Sequence, residues 1–172
     1  MARHIFLVAF CFYLALLAVV AHFTRAAKRR FLGALAGGLA VAVVGVGIEV
    51  LCQTLGFWHY PSAKHSYGPV LMYPVIVLMW TVLALLGWRV MRRFGWRGYA
   101  VFLTAVMVLG TFRDYFIAER ALGFIVLASG LLTVLVDAAC WTGTTALSHA
   151  VMRLVAGSAR DDRLARRPWE AA

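Results

Sequence analysis

The sequence predicts an all-α polytopic integral membrane protein, a bundle of five transmembrane helices, and three observations predict it. Of 172 residues, 63% are hydrophobic and only 14% charged, with a mean hydropathy of +0.84. A soluble domain carries roughly 45–50% apolar and about 25% charged residues. Apolar runs of about 20 residues, the length that crosses a hydrocarbon core, recur along the chain. Arginines gather in alternate connectors between those runs. A chain of this composition cannot hide its apolar surface in a water-soluble core and needs lipid.

The runs lie at about 4–23, 31–57, 70–91, 98–118 and 122–154. The first has only Arg3 ahead of it and a larger basic cluster behind it, with no A-x-A site. It therefore reads as a retained signal-anchor rather than a cleaved signal peptide. The second and fifth exceed what a bilayer requires, so tilt or projection beyond it is expected. Residues 1–156 form the transmembrane domain in this reading, and 157–172 a short basic cytoplasmic tail.

Charge sets the orientation. Arg25, Lys28, Arg29 and Arg30 follow the first run; Arg89, Arg92, Arg93 and Arg97 surround the turn after the third; Arg153, Arg160, Arg163, Arg166 and Arg167 follow the fifth. The connector at 58–69 has only Lys64, and the turn at 113–121 balances two Arg with Asp114 and Glu119. An outside N-terminus and a cytoplasmic C-terminus, in a multi-pass protein of the cell membrane, satisfy every connector at once. The formal charge of +10 is thereby explained by topology and by contact with lipid headgroups. A nucleic-acid footprint would gather basic and aromatic residues on one folded face, and this chain does not.

Small and polar residues mark the helix seams, because close packing and polar contacts drive association in lipid. In the second run Ala34, Gly38, Ala42, Gly45, Glu49, Cys52 and Gly56 recur every three or four residues and share one helical face. In the fifth, Gly130, Thr133, Asp137, Cys140, Thr144 and Ser148 do the same. Each seam carries one carboxylate. A charged Asp at a helix centre costs about 2.5–3.5 kcal/mol on insertion scales, so such residues are functional candidates. At 1.5 Å per residue, Glu49 is placed roughly 13 Å below Trp58, and Asp137 near mid-bilayer. Two readings stay open. In one the pair forms a buried acid site, burial and mutual repulsion keeping a carboxyl able to donate a proton. In the other, hydrogen bonds to Gln53, Thr133 or Trp141 merely lock the helix register.

The remaining polar residues offer weaker patterns. Arg113–Asp114 and Glu119–Arg120 are adjacent and so are not expected to pair on a helix. They read as interfacial anchors, with Asp114 as an alternative partner for His59 or His65. His22 and His149 would serve as an axial pair if the protein held haem, but neither pair of histidines has tight ligand spacing. No cofactor or metal is expected. Cys11, Cys52 and Cys140 lack C-x-x-C spacing and read as small apolar residues. No phosphate-binding loop, nucleophile elbow or zinc-protease motif occurs.

Residues 49–80 run Glu49, then Gly56-Phe57-Trp58-His59-Tyr60, then Gly68-Pro69 and Tyr73-Pro74, and finally Trp80. This fifth of the chain resembles membrane carotenoid-biosynthesis proteins of the hydratase type. Their pattern has a helix Glu, a Gly-aromatic-x-Tyr turn, a Gly-Pro, a further Pro and a Trp opening the next helix. Similar aromatic turns occur in membrane lycopene-cyclase-like proteins, whose P-x-E-E segment is missing here. The resemblance implies hydration or cyclisation of an isoprenoid, begun by protonating an alkene. Glu49, Asp137 and Asp114 are the candidate acids. Trp58, His59, Tyr60, Tyr73, Trp80 and Trp141 are the candidate substrate contacts, their rings able to stabilise a carbocation. Against this enzyme stand a complex subunit, an assembly factor and a small carrier.

Overall fold

The computed structural model describes residues 2–61 and 68–158. Helix α1 (Ala2–Thr24) ends where Arg25 turns to a positive φ of 49°. Helix α2 (Lys28–Thr54) follows after three residues. A two-residue strand, β1 (Trp58–His59), precedes helix α3 (Met72–Phe112), which runs into a π-helical segment (Arg113–Ala121). Strand β2 (Val126–Leu127) then pairs antiparallel with β1, Trp58 opposite Leu127 and His59 opposite Val126. Helix α4 (Leu131–Ala156) closes the described chain. All four α-helices are long and apolar enough to cross a membrane, the third taken together with the π-helix as Met72–Ala121.

Helix α3 is not straight. Gly95 breaks it at φ 66° and ψ −157°, a conformation that L side chains rarely tolerate. The chain then folds back along itself. A methyl group on Gly87 would stand 3.1 Å from the Tyr99 and Phe102 rings, and Arg113 Nη1 reaches to 3.6 Å from Met79 Sδ. Helices α2, α3 and α4 pack mutually, while α1 leans on α3 and makes no comparable contact with α2. Val41, Met79, Trp80, Val106 and Trp141 form the middle of the core.

The two expected seams meet in part. Ala34, Gly38, Ala42 and Cys52 are buried on α2, and Thr133, Asp137, Thr144 and Ser148 on α4. Gly38 presses on α3 at Val77 and Thr81, whereas its neighbour Gly37 and Gly33 press on α4 at Ser148 and Met152. Gly56 and Gly130 fall outside the helices, at φ 75° and 121°. The expected fifth run also begins later than its hydropathy suggests. Residues 122–130 hold a turn and strand β2 rather than helix, because Gly123 and Gly130 both take positive φ. Helix α4 therefore starts nine residues on, and this moves Asp137. It lies six residues into α4, about 9 Å from the helix start rather than near the middle of the helix. Glu49 lies five residues from the end of α2, about 8 Å in. The two carboxyls thus sit at matching depth beneath the β1–β2 ribbon.

At the opposite end Arg30 is buried and ties the bundle together. Its Nη1 and Nη2 donate to the Gly157 and Ser158 carbonyls at 2.7 and 2.9 Å, beyond the last turn of α4. Arg29 Nε adds a bond of 3.2 Å to the Val155 carbonyl. A cation at a helix C-terminus also opposes the helix dipole. The Arg30 and Arg92 guanidiniums lie 5.3 and 5.1 Å from the Trp88 ring centroid.

Candidate functional site

Beneath the ribbon lies a cavity of about 280 Å³ walled by α1, α2, the first arm of α3, the π-helix, the ribbon and α4. Its wall is largely apolar, and into it project Glu49, Asp114, Asp137 and Arg113. The aromatic side chains Trp58, Tyr60, Trp80 and Trp141 complete it. Drug-sized ligand pockets run about 300–1,000 Å³, so this one suits the end of an apolar chain rather than a whole long one.

Each carboxyl has a different setting. Glu49 is bonded at both oxygens: Trp58 Nε1 donates to Oε2 and the Tyr60 hydroxyl to Oε1, each at 2.9 Å. Strand alternation explains the donors, since β1 turns Trp58 inward and His59 outward. Burial first, and the Glu49 carboxylate second, hold the Tyr60 phenol well above its ordinary range, so it stays a donor. Tyr60 stacks on Phe124 at 5.8 Å, and Phe124 meets Phe6 of α1 edge-on at 5.9 Å.

Asp114 is fully engaged. Arg113 Nε and Nη2 donate to its Oδ1 at 2.9 and 2.6 Å, and Trp141 Nε1 to its Oδ2 at 2.8 Å. The adjacent pair that helix geometry argued against therefore forms. The Arg113 side chain curls back on its own neighbour at the start of the wider π-helical turn, with its guanidinium 5.2 Å from the Trp141 ring centroid. Trp141 in turn packs on Trp80 at 5.1 Å. Glu119 anchors the ribbon instead, accepting from the Leu127 amide at 2.9 Å. Arg120 lies over the Phe116 ring.

Asp137 differs from both. It is 5% exposed, it lines the cavity, and its Oδ2 has no hydrogen-bond partner. Buried carboxyl oxygens usually find a donor, and of the buried polar atoms left without one Asp137 Oδ2 is the one carboxyl oxygen among the described residues.

The structure gathers Glu49, Asp114, Asp137, Trp58, Tyr60, Trp80 and Trp141 around one space. His59 is exposed and Tyr73 half-buried, and neither lines the cavity. His65, the other expected partner of Asp114, lies outside the described residues, as do Lys64 and the tail from 159. His149 is buried with its ring 4.5 Å from Tyr99, whereas His22 is exposed beside Phe23. Among the described residues no three His, Cys, Asp or Glu side chains converge as metal ligands would. Arg113, an interfacial anchor by its sequence position, is the one arginine of the cavity wall among the described residues. Tyr13 and Met79 also went unread there. Their signal is slight, because Met79 looks like core and Tyr13 like an interfacial residue.

One stretch of the wall is thin. A methyl group on Gly45 would meet nothing within 4 Å, and Gly45 lines the cavity opposite the α1 stripe of Ile5, Ala9 and Tyr13. Val43, Val44 and Val46 beside it are exposed. At Gly45 the wall is therefore backbone without a side chain, and apolar side chains beside it reach the outer surface.

No protein-family model, curated protein or solved structure matches this chain.

Proposed function

We propose that the protein is a multi-pass enzyme of the cell membrane that protonates an alkene in an isoprenoid or similar apolar lipid, leading to hydration or cyclisation. The observation that carries this reading is Asp137: a buried carboxyl with one unbonded oxygen, facing an aromatic-walled cavity among apolar helices.

Five crossings are part of the proposal. As one straight helix, Met72–Ala121 would be about 75 Å long, over twice a hydrocarbon core of about 30 Å. The reversal at Gly95 makes it two crossings. With Arg30 and Arg92 at the other end of the bundle, the arginine bias places the N-terminus and the ribbon outside and the C-terminus in the cytoplasm.

In the reaction Asp137 gives its proton to one alkene carbon, and the π electrons form the new C–H bond. The neighbouring carbon becomes a carbocation facing Trp80, Trp141 and Trp58, whose ring faces attract positive charge. Glu49, held by Trp58 and Tyr60, supplies the opposing charge. In hydration, water adds to the cation and returns a proton to Asp137. In cyclisation, a second alkene adds to it and an adjacent carbon loses the proton. Either way the acid is regenerated and no redox partner is needed.

Lipid extraction and mass spectrometry of cells with and without the gene test the substrate class, the expected result being an isoprenoid gained or shifted by one water or by ring closure. Expression of Asp137→Asn should leave the lipid profile of the cells lacking the gene. Full product from both Glu49→Gln and Asp137→Asn would end the mechanism.

A further inference from the structure

We infer that the cavity is a receptor for an organic cation, a quaternary or protonated amine carried on an apolar body. Four groups of formal charge face it, three acids and one base. Arg113 is spent on Asp114, with two donors on one oxygen. Among the described residues Glu49 and Asp137 have no cationic side chain at ion-pair distance. Glu49, and Asp137 once it has given up its proton, thus line the space with no cation paired to them. Such groups are normally paired or coordinated, because removing them from water is expensive.

A metal ion does not suit the vacancy. Among the described residues no three acids converge, and four aromatic side chains share the wall with them. Rings are poor ligands for a hard metal ion but good partners for alkylammonium groups, whose charge is diffuse and whose methyl groups are themselves apolar. The Asp137 carboxyl, which lines the cavity, is the group such a head would approach. The volume fits a small cationic head, and the thin wall at Gly45 lets its apolar body extend toward the lipid. This inference rests on the same cavity as the proposed reaction, where the cation would be a transient carbon centre. Its test needs no turnover.

The probes are phenyltrimethylammonium and tert-butylbenzene, which share a shape and differ by one positive charge. Their binding to the purified full-length protein in detergent is followed by tryptophan fluorescence and calorimetry, corrected with protein-free micelles. The cation should bind at least about ten-fold tighter than its neutral twin. That preference should vanish in Glu49→Gln or Asp137→Asn, and Trp80→Leu should weaken cation binding several-fold. Equal binding of the two probes to the wild type would overturn the inference, and this comparison decides even if a variant fails to fold. A preference kept in both carboxyl variants would overturn it too. Cation preference without product in cells would defeat the enzyme and leave the receptor; product without cation preference would do the reverse.

Discussion

The two ends of the bundle solve the problem of buried charge in opposite ways. At one end Arg30 finds two carbonyls beyond the last turn of α4 and a tryptophan face, so its charge is met on every side the structure describes. At the other, Asp114 is satisfied by Arg113 and Trp141, Glu49 by two neutral donors, and Asp137 keeps an oxygen with none. The same apolar bundle therefore holds one polar cluster that ties helices together and one in which a buried carboxyl beside a cavity lacks a donor. What separates the two is the buried ionisable group: Arg30 is met by two carbonyls, and Asp137 keeps an oxygen with no donor.

That contrast can be broken most heavily at the fastening. Arg30→Met removes charged donors from two carbonyls and should cost about 3 kcal/mol, read as a lower unfolding midpoint in detergent. Cation binding by the molecules still folded should not change. Loss of binding without loss of stability would erase the distinction between the ends. Gly110→Leu comes next. The Trp141 ring occupies the space where its side chain would go, so about 2 kcal/mol of overpacking is expected along with a displaced Trp141–Asp114 bond. Unaltered tryptophan emission would show that the ring does not sit there.

Smaller changes sharpen the comparison. Tyr60→Phe leaves Glu49 with one donor and should lower stability by about 1.5 kcal/mol, again by denaturant titration. An unchanged midpoint would mean that water replaces the phenol and the site is wet. Gly45→Leu has the smallest expected effect on stability. It meets no neighbour and improves helix propensity, so the midpoint should hold or rise by up to about 1 kcal/mol. Uptake of a lipid-borne substrate should nevertheless slow, and unchanged uptake would place the entrance elsewhere.

Much of the fold was legible in composition because lipid imposes long, fully hydrogen-bonded apolar segments. Helices α1 and α2 follow directly from that rule, whereas the glycines of α2 that meet α4, Gly33 and Gly37, lie beside the expected seam. The ribbon was not legible. Residues 122–130 are as apolar as a helix, and only the positive φ of Gly123 and Gly130, a property of backbone and not of hydropathy, separates them. That hidden boundary misplaced Asp137 by several residues of depth. The acid pair itself was visible, since carboxylates in apolar runs are rare. The partners of each acid were not. Trp58 and Tyr60 resemble ordinary belt residues until the strand turns them inward, and the Arg113–Asp114 pair runs against regular helix spacing.

The central claim is that Asp137 delivers a proton to carbon. Purified protein incubated with an isoprenoid in heavy water tests it directly, with deuterium counted in the product by mass spectrometry. The account predicts one non-exchangeable deuterium per product molecule, with product formation at least about a hundred-fold slower in Asp137→Asn. Product without deuterium on carbon, or equal labelled product from Asp137→Asn, would contradict it.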